Sequence, residues 1–201
     1  MITRLTSSAV TQGLPKYRSM LAGNPYYIPP SFESIATATG TGSSATITFS
    51  SIPATYSALQ IRGIGRSTQA SASFIEGYIY FNSDTSLTTV TYHALVGNGS
   101  TAVATGWGTN TDTMQVIKMS QGSMSAGIMG VNLIDIHNYA STTQYKTVRA
   151  FHGGDANGSG DIRLMSGLWL NTNAINSITI STVAGNFTTD STFALYGIKG
   201  A

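Results

Sequence analysis

Oxygen-bearing side chains at alternate positions before a glycine can wrap a calcium ion, and Asp155-Ala156-Asn157-Gly158-Ser159-Gly160-Asp161-Ile162 begins in that way. Asp155, Asn157 and Ser159 take the first, third and fifth places, Gly160 the sixth and Ile162 the eighth. The twelfth place is Ser166, which lacks the bidentate carboxylate that such loops use, and the pattern predicts no flanking helices. A Gly-rich hairpin turn is therefore the first reading, and calcium held by Asp155, Asn157, Ser159 and Asp161 the second.

Asp135 and His137 stand two apart and share a face if the segment is a strand, so a carboxylate–imidazole pair or part of a metal site is geometrically open. With no further ligands in sight, a structural pair or an exposed histidine is the simpler expectation. Gly40-Thr41-Gly42-Ser43-Ser44-Ala45 has the letters of a dinucleotide fingerprint, but a strand pattern follows it where that motif requires a helix N-terminus. It reads as a Gly-rich turn. Neither a Gly-x-Ser-x-Gly elbow nor a phosphate loop occurs, and the eight acidic residues form no obvious catalytic pair, so no enzyme is expected. Trp107, between Gly106 and Gly108 in a polar stretch, suits packing or a subunit contact first and stacking on a sugar second.

The elements that position these groups follow from composition and period. Charged residues are 9% of the 201 and apolar ones 41%, with Thr, Val, Ile, Tyr and Phe favouring strands and few Glu or Lys to favour helices. Ala45, Ile47 and Phe49 alternate with Thr46 and Thr48; Leu59 and Ile61 repeat the pattern after Pro53; Phe74 to Phe81 is aromatic on both parities. Further strands are expected near Thr89 to Val96, Met114 to Met119, Ile128 to Ile136 and Tyr145 to Phe151. Ile162, Leu164, Leu168 and Leu170 share one parity, Ile178 and Ile180 resume it, and Phe193 to Ile198 closes the chain. The Ser/Thr/Gly-rich stretches Thr37 to Ala45, Gly97 to Asp112 and Ser120 to Gly127 read as loops or a sheet edge. Short strands with turn signals at intervals of roughly ten residues predict an all-β, antiparallel sandwich or barrel over residues 31–201, with the sandwich the first reading.

Residues 1–30 have no regular period and contain Pro15, Pro25, Pro29 and Pro30, which predicts an extended N-terminal arm. Its apolar and basic side chains, with Arg4, Lys16, Tyr17, Arg18, Tyr26 and Tyr27 foremost, suit attachment to a partner, the alternative being an arm that covers an edge of its own sandwich.

The net charge of +2 is spread thinly, and no basic cluster interleaves with aromatics, so nucleic acid is not an expected partner. Cysteine is absent, which excludes disulfides and suits assembly in a reducing cytoplasm. Residues 1–22 hold no apolar h-region, and no run of about 18 apolar residues occurs, so neither a signal peptide nor membrane insertion is expected.

Two stretches carry a resemblance. Ala45 to Arg62, ATITFSSIPATYSALQIR, and Ile175 to Gly200, with INSITI, GNF and FALYGIKG, are similar to strands of virion proteins of tailed bacteriophages, and Gly13-Leu14-Pro15-Lys16-Tyr17-Arg18 resembles N-terminal arms of phage structural proteins, including those of cyanobacterial phages. The resemblance implies a jelly-roll-like sandwich in a tail-fibre-like or adsorption appendage, located in the virion. It also implies a homotrimer bound to other virion proteins, with a host glycan or receptor as a further partner. A capsid decoration protein is the alternative.

Overall fold

The computed structural model describes residues 31–109 and 113–200, and nearly all of them lie in strands or the turns between strands. In chain order the strands are β1 (Phe32–Thr39), β2 (Thr46–Phe49), β3 (Ala58–Gly65), β4 (Phe74–Phe81), β5 (Val90–Gly97) and β6 (Ala102–Trp107). Then come β7 (Gln115–Ser120), β8 (Gly130–His137), β9 (Lys146–Asp155), β10 (Gly160–Trp169), β11 (Ile178–Thr182) and β12 (Thr192–Ile198). A single 3₁₀ turn, Leu87–Thr89, leads into β5.

All pairings between these strands are antiparallel, and they build an all-β sandwich of two sheets, ordered β1-β12-β3-β8-β9-β10-β5-β6 and β2-β11-β4-β7. Set β5, β6, β9 and β10 aside and a jelly roll remains. First pairs with last (β1·β12), second with second-last (β2·β11), third with sixth (β3·β8) and fourth with fifth (β4·β7), as in a long hairpin rolled into two sheets. The hairpin β5–β6 is inserted between β4 and β7, and β9–β10 between β8 and β11. Both add to the same sheet, which reaches eight strands against the other's four.

The core follows from alternation. Ile47, Phe49, Ile79, Phe81, Ile117, Met119, Ile178 and Ile180 of the small sheet meet Leu59, Ile61, Ile134, Ile136, Phe193 and Leu195 of the large one, and all are buried. Burying each such side chain contributes about 1.5–3 kcal/mol. Trp169 is almost wholly buried, as its place in a strand predicts; its ring lies 5.4 Å from Phe81 and its Nε1 donates to Asp84 Oδ2 at 2.8 Å. The connections are pinned by few groups. Tyr139 Oη donates to Pro53 O at 2.6 Å and accepts from Tyr56 N at 3.0 Å, fixing the β2–β3 turn. The Arg66 guanidinium donates to the carbonyls of Gly122, Met124, Ser125 and Ile128, which orders the Ser/Gly-rich loop before β8.

The stretches read as loops or a sheet edge include both edges of the large sheet. In Gly97 to Asp112, Ala102–Trp107 forms its outermost strand. An edge strand satisfies one side of its backbone and needs little burial, so it leaves a faint apolar signal. Thr37–Thr39 belongs to β1, and the turn begins only at Gly40, with Gly42 at φ +79°.

Candidate functional site

The stretch Asp155 to Asp161 is the tip of the β9–β10 hairpin, as the turn reading expects. Asn157 and Gly158 take positive φ (58° and 93°), and Ala156 N donates to Ser159 O at 2.7 Å. Asp155 Oδ1 accepts from Gly158 N at 3.2 Å, and Ser159 Oγ donates to Ala156 O at 3.3 Å. Asp161 turns away into the protein. Of the four oxygen-bearing residues, Asp155 and Ser159 bond within the turn and Asp161 bonds Lys118, and among the described residues no three of His, Asp and Glu cluster as metal ligands would.

Asp161 belongs to a part-buried ring of four charges that joins β4 and β7 to β10. Lys118 Nζ of β7 lies 2.8 Å from the Asp161 carboxylate and 3.0 Å from Glu76 Oε1 of β4. Arg163 of β10 closes the ring, Nη2 to Glu76 Oε1 at 2.6 Å and Nε to Asp161 Oδ2 at 3.2 Å. The ring alternates in sign and is formally neutral, which lets Lys118 sit 4% exposed. Burial would raise the Asp161 pKa, but the hydrogen bond and charge of Lys118, with Arg163 behind it, outweigh this and hold it below the usual carboxylate range. His152 adjoins the ring and is 1% exposed, with no hydrogen-bond partner for either nitrogen among the described residues. Burial, then the charges of Arg163 and Lys118, push its pKa down to about 3, so the ring stays neutral. At the other end of β9, Lys146 is fully buried and donates to the carbonyls of Ser141, Gln144, Asn171 and Thr172.

The outer face of the large sheet is where exposed side chains of one kind gather. The ladder registers set them in rows. One row is polar: Gln60, Asp135, Arg149, Ser166 and His93, ending at Gly106. Gln60 Nε2 donates to Asp135 Oδ1 at 2.6 Å, so Asp135 serves Gln60, and no ion pair joins it to the exposed His137 among the described residues. The next row is Leu133, Phe151, Leu164 and Leu95, and the one after is Ile64, Val131, Gly153 and Ile162. Ile64, Leu95, Val131, Phe151, Ile162 and Leu164 are each 40–59% exposed. Two hollows mark this face. One, of about 950 Å³, lies over His93, Leu95, Gly106, Arg149, Leu164 and Ser166; the other, of about 510 Å³, is floored by Gly153 and flanked by Val131, Phe151 and Ile162. An apolar patch of this kind is larger than the scattered apolar side chains usual on a sandwich surface.

Arg62, Arg66, Lys118, Lys146, Arg163 and Lys199 each have a partner in the fold. Arg149, exposed beside the apolar rows, has no hydrogen bond or ion pair among the described residues. Trp107 stands opposite Tyr92 in the β5–β6 ladder, on the strand that closes this sheet. Arg4, Lys16, Tyr17, Arg18, Tyr26 and Tyr27 lie outside the described residues. The sequence pointed to the hairpin tip and to Trp107 but not to the rows, which exist only once strands distant in sequence are set in register.

No family model, no curated protein and no solved structure matches this chain.

Proposed function

We propose that this chain is a structural protein of a tailed-phage virion, of the tail-fibre-like or adsorption-appendage kind, that works through protein–protein contacts with copies of itself and with neighbouring virion proteins. The observation that carries the reading is the broadened outer face of the large sheet. The two inserted hairpins widen that sheet, and their outward side chains include the apolar Leu95, Phe151, Ile162 and Leu164, which a free-standing sandwich would have no reason to expose. Among the described residues most charged side chains other than Arg149, Asp155 and Asp190 have partners within the fold, which leaves mainly hydroxyl, amide and apolar groups on the surface of the sandwich to meet neutral protein or sugar surfaces. The phage-like sequence stretches fall on β2–β3 and on β11–β12, strands of the jelly roll itself.

Labelling the protein in intact particles and locating it by electron microscopy tests this reading. Density at the tail or its appendages supports it. A regular array over the head selects the decoration protein instead, and absence from particles rejects both. A purified protein that depolymerises host polysaccharide would overturn the non-enzymatic reading.

A further inference from the structure

We propose that the apolar outer face of the large sheet is a two-fold contact between two copies of this chain, in which Phe151 of each copy enters the hollow above Gly153 of the other and Arg149 of each pairs with Asp155 of the other. The inference rests on the reading of this face as a contact surface and adds its occupant and symmetry.

On β9, Arg149, Phe151, Gly153 and Asp155 share the outward parity. A contact between two copies of one face is isologous, so its axis lies in the plane of the contact and each residue pairing occurs twice. Let that axis cross the strands midway between Phe151 and Gly153. Each strand then crosses its own copy antiparallel, and the row of Leu133, Phe151 and Leu164 meets the row of Val131, Gly153 and Ile162. Leu164 comes over the partner's Ile162, Leu133 over the partner's Val131, and Phe151 over the hollow at the partner's Gly153. Two sheets packed face to face stay within about 30° of alignment, so the pairings hold near the axis.

The same operation, with nothing further adjusted, sets Arg149 against Asp155. Arg149 is the cation without a partner among the described residues, and Asp155, exposed at the hairpin tip, offers a carboxylate that accepts from Gly158 N of its own turn. Charges placed symmetrically about the centre of an apolar patch fix register as well as affinity. The hollow is built into the fold: a Cβ at Gly153 would lie 2.6 Å from Asp161 O, so the β9–β10 ladder keeps that place open. The half-exposed side chains of the two rows supply roughly 600 Å² of apolar surface before the polar rim is added, close to the ~800 Å² per partner of a stable interface.

The test is the molar mass of the full chain by sedimentation equilibrium over a concentration series, with melting transitions to confirm folding. A mass of two chains is expected. Phe151→Asp, Arg149→Asp and Asp155→Arg should each weaken the pair at least about tenfold while the fold persists. Mixing Arg149→Asp with Asp155→Arg should restore a two-chain species, since the hybrid regains both charge pairs, and a merely structural role for either residue gives no such rescue. Three results overturn the proposal: a pair untouched by these variants, a three-chain mass, or a single chain at the highest concentration. A single chain that pairs once residues 1–30 are removed overturns it too and makes those residues the occupant. A single-chain mass for the unmutated protein, with the protein still found in particles, sinks the two-fold contact alone; an intact pair in a protein absent from particles sinks the virion reading alone.

Discussion

Two strands of one sheet bury opposite kinds of side chain. On β12, Phe193 and Leu195 are fully buried while Ala194 and Tyr196 are only half-buried on the other side. On the first half of β10 the apolar Ile162 and Leu164 stand half-exposed outside, and Asp161 and Arg163 are drawn inside to meet Lys118 and Glu76. The β12 strand belongs to the jelly roll and β10 to an inserted hairpin. The insertion thus adds little apolar core at its far end. It is seated by a closed ring of charges, and its hydrocarbon is turned outward, where another molecule can use it.

Opening the ring should have the largest effect. Lys118→Met should destabilise the chain by about 3 kcal/mol, the low end for a broken buried pair, because Glu76 and Asp161, both only part-buried, would keep Arg163 as their sole cation. Replacing the whole ring at once, by Glu76→Leu, Lys118→Met, Asp161→Leu and Arg163→Met together, should cost far less, since a buried ion pair is often matched by well-packed apolar groups. Chemical denaturation checks both. If Lys118→Met alone is neutral, the ring does not seat the hairpin.

Acid should act on the same end. The folded pKa of His152 lies near 3 against an ordinary value of 6.5, so between those limits the unfolded chain takes up a proton that the folded chain refuses. Stability should therefore fall with falling pH from about 6.5, approaching ~1.4 kcal/mol per pH unit from this residue alone. Asp161 has a depressed pKa, so its contribution is present above 3.8 and is lost as pH falls through the folded value. Denaturant midpoints between neutrality and pH 4 should show the His152 slope, and His152→Gln should flatten it. A slope unchanged in that variant would assign the acid response elsewhere.

Lys146 offers a milder contrast at the other end of the hairpin, since its acceptors are carbonyls rather than carboxylates. Lys146→Met leaves no orphaned charge, only carbonyls that water can partly reach from the loops. A loss of about 1–3 kcal/mol is expected by thermal melting, smaller than for Lys118→Met.

Much of the fold was legible in alternation: Ile47 and Phe49, Leu59 and Ile61, and Phe193 and Leu195 declared their strands, and all six are core. Which parity faced inward was not always legible. Ile162 and Leu164 share a face by period, but period does not say which face is inside, and the charges that decide it come from Glu76 and Lys118, far off in sequence. Lys118 sits among Val116, Ile117 and Met119, where its charge gives no sign of its partners. The hairpin at Asn157–Gly158 was legible because positive φ selects asparagine and glycine. The apolar rows were not, since each is assembled from separate strands.

The smallest expected effect is the most discriminating, and it concerns neighbours in the chain. Leu164 and Met165 sit side by side on β10 and point to opposite faces, the first 57% exposed and the second 2%. Met165→Ala should open a cavity between the sheets and destabilise by roughly 2–5 kcal/mol. Leu164→Ala removes a side chain already largely in water, and on a strand with partners on both sides its backbone ladder is untouched. Measured at concentrations low enough for single chains, it should therefore change stability by no more than about 0.5 kcal/mol. The low concentration matters, because a self-associating protein is stabilised by mass action and would transfer part of the contact's free energy into the apparent stability. At high concentration the two variants should converge somewhat, as Leu164→Ala then loses the contact as well. If instead Leu164→Ala is as damaging as Met165→Ala in the dilute chain, the outer face is already covered within the free protein, with residues 1–30 the first segment to delete, and the contrast between β10 and β12 would lose its meaning.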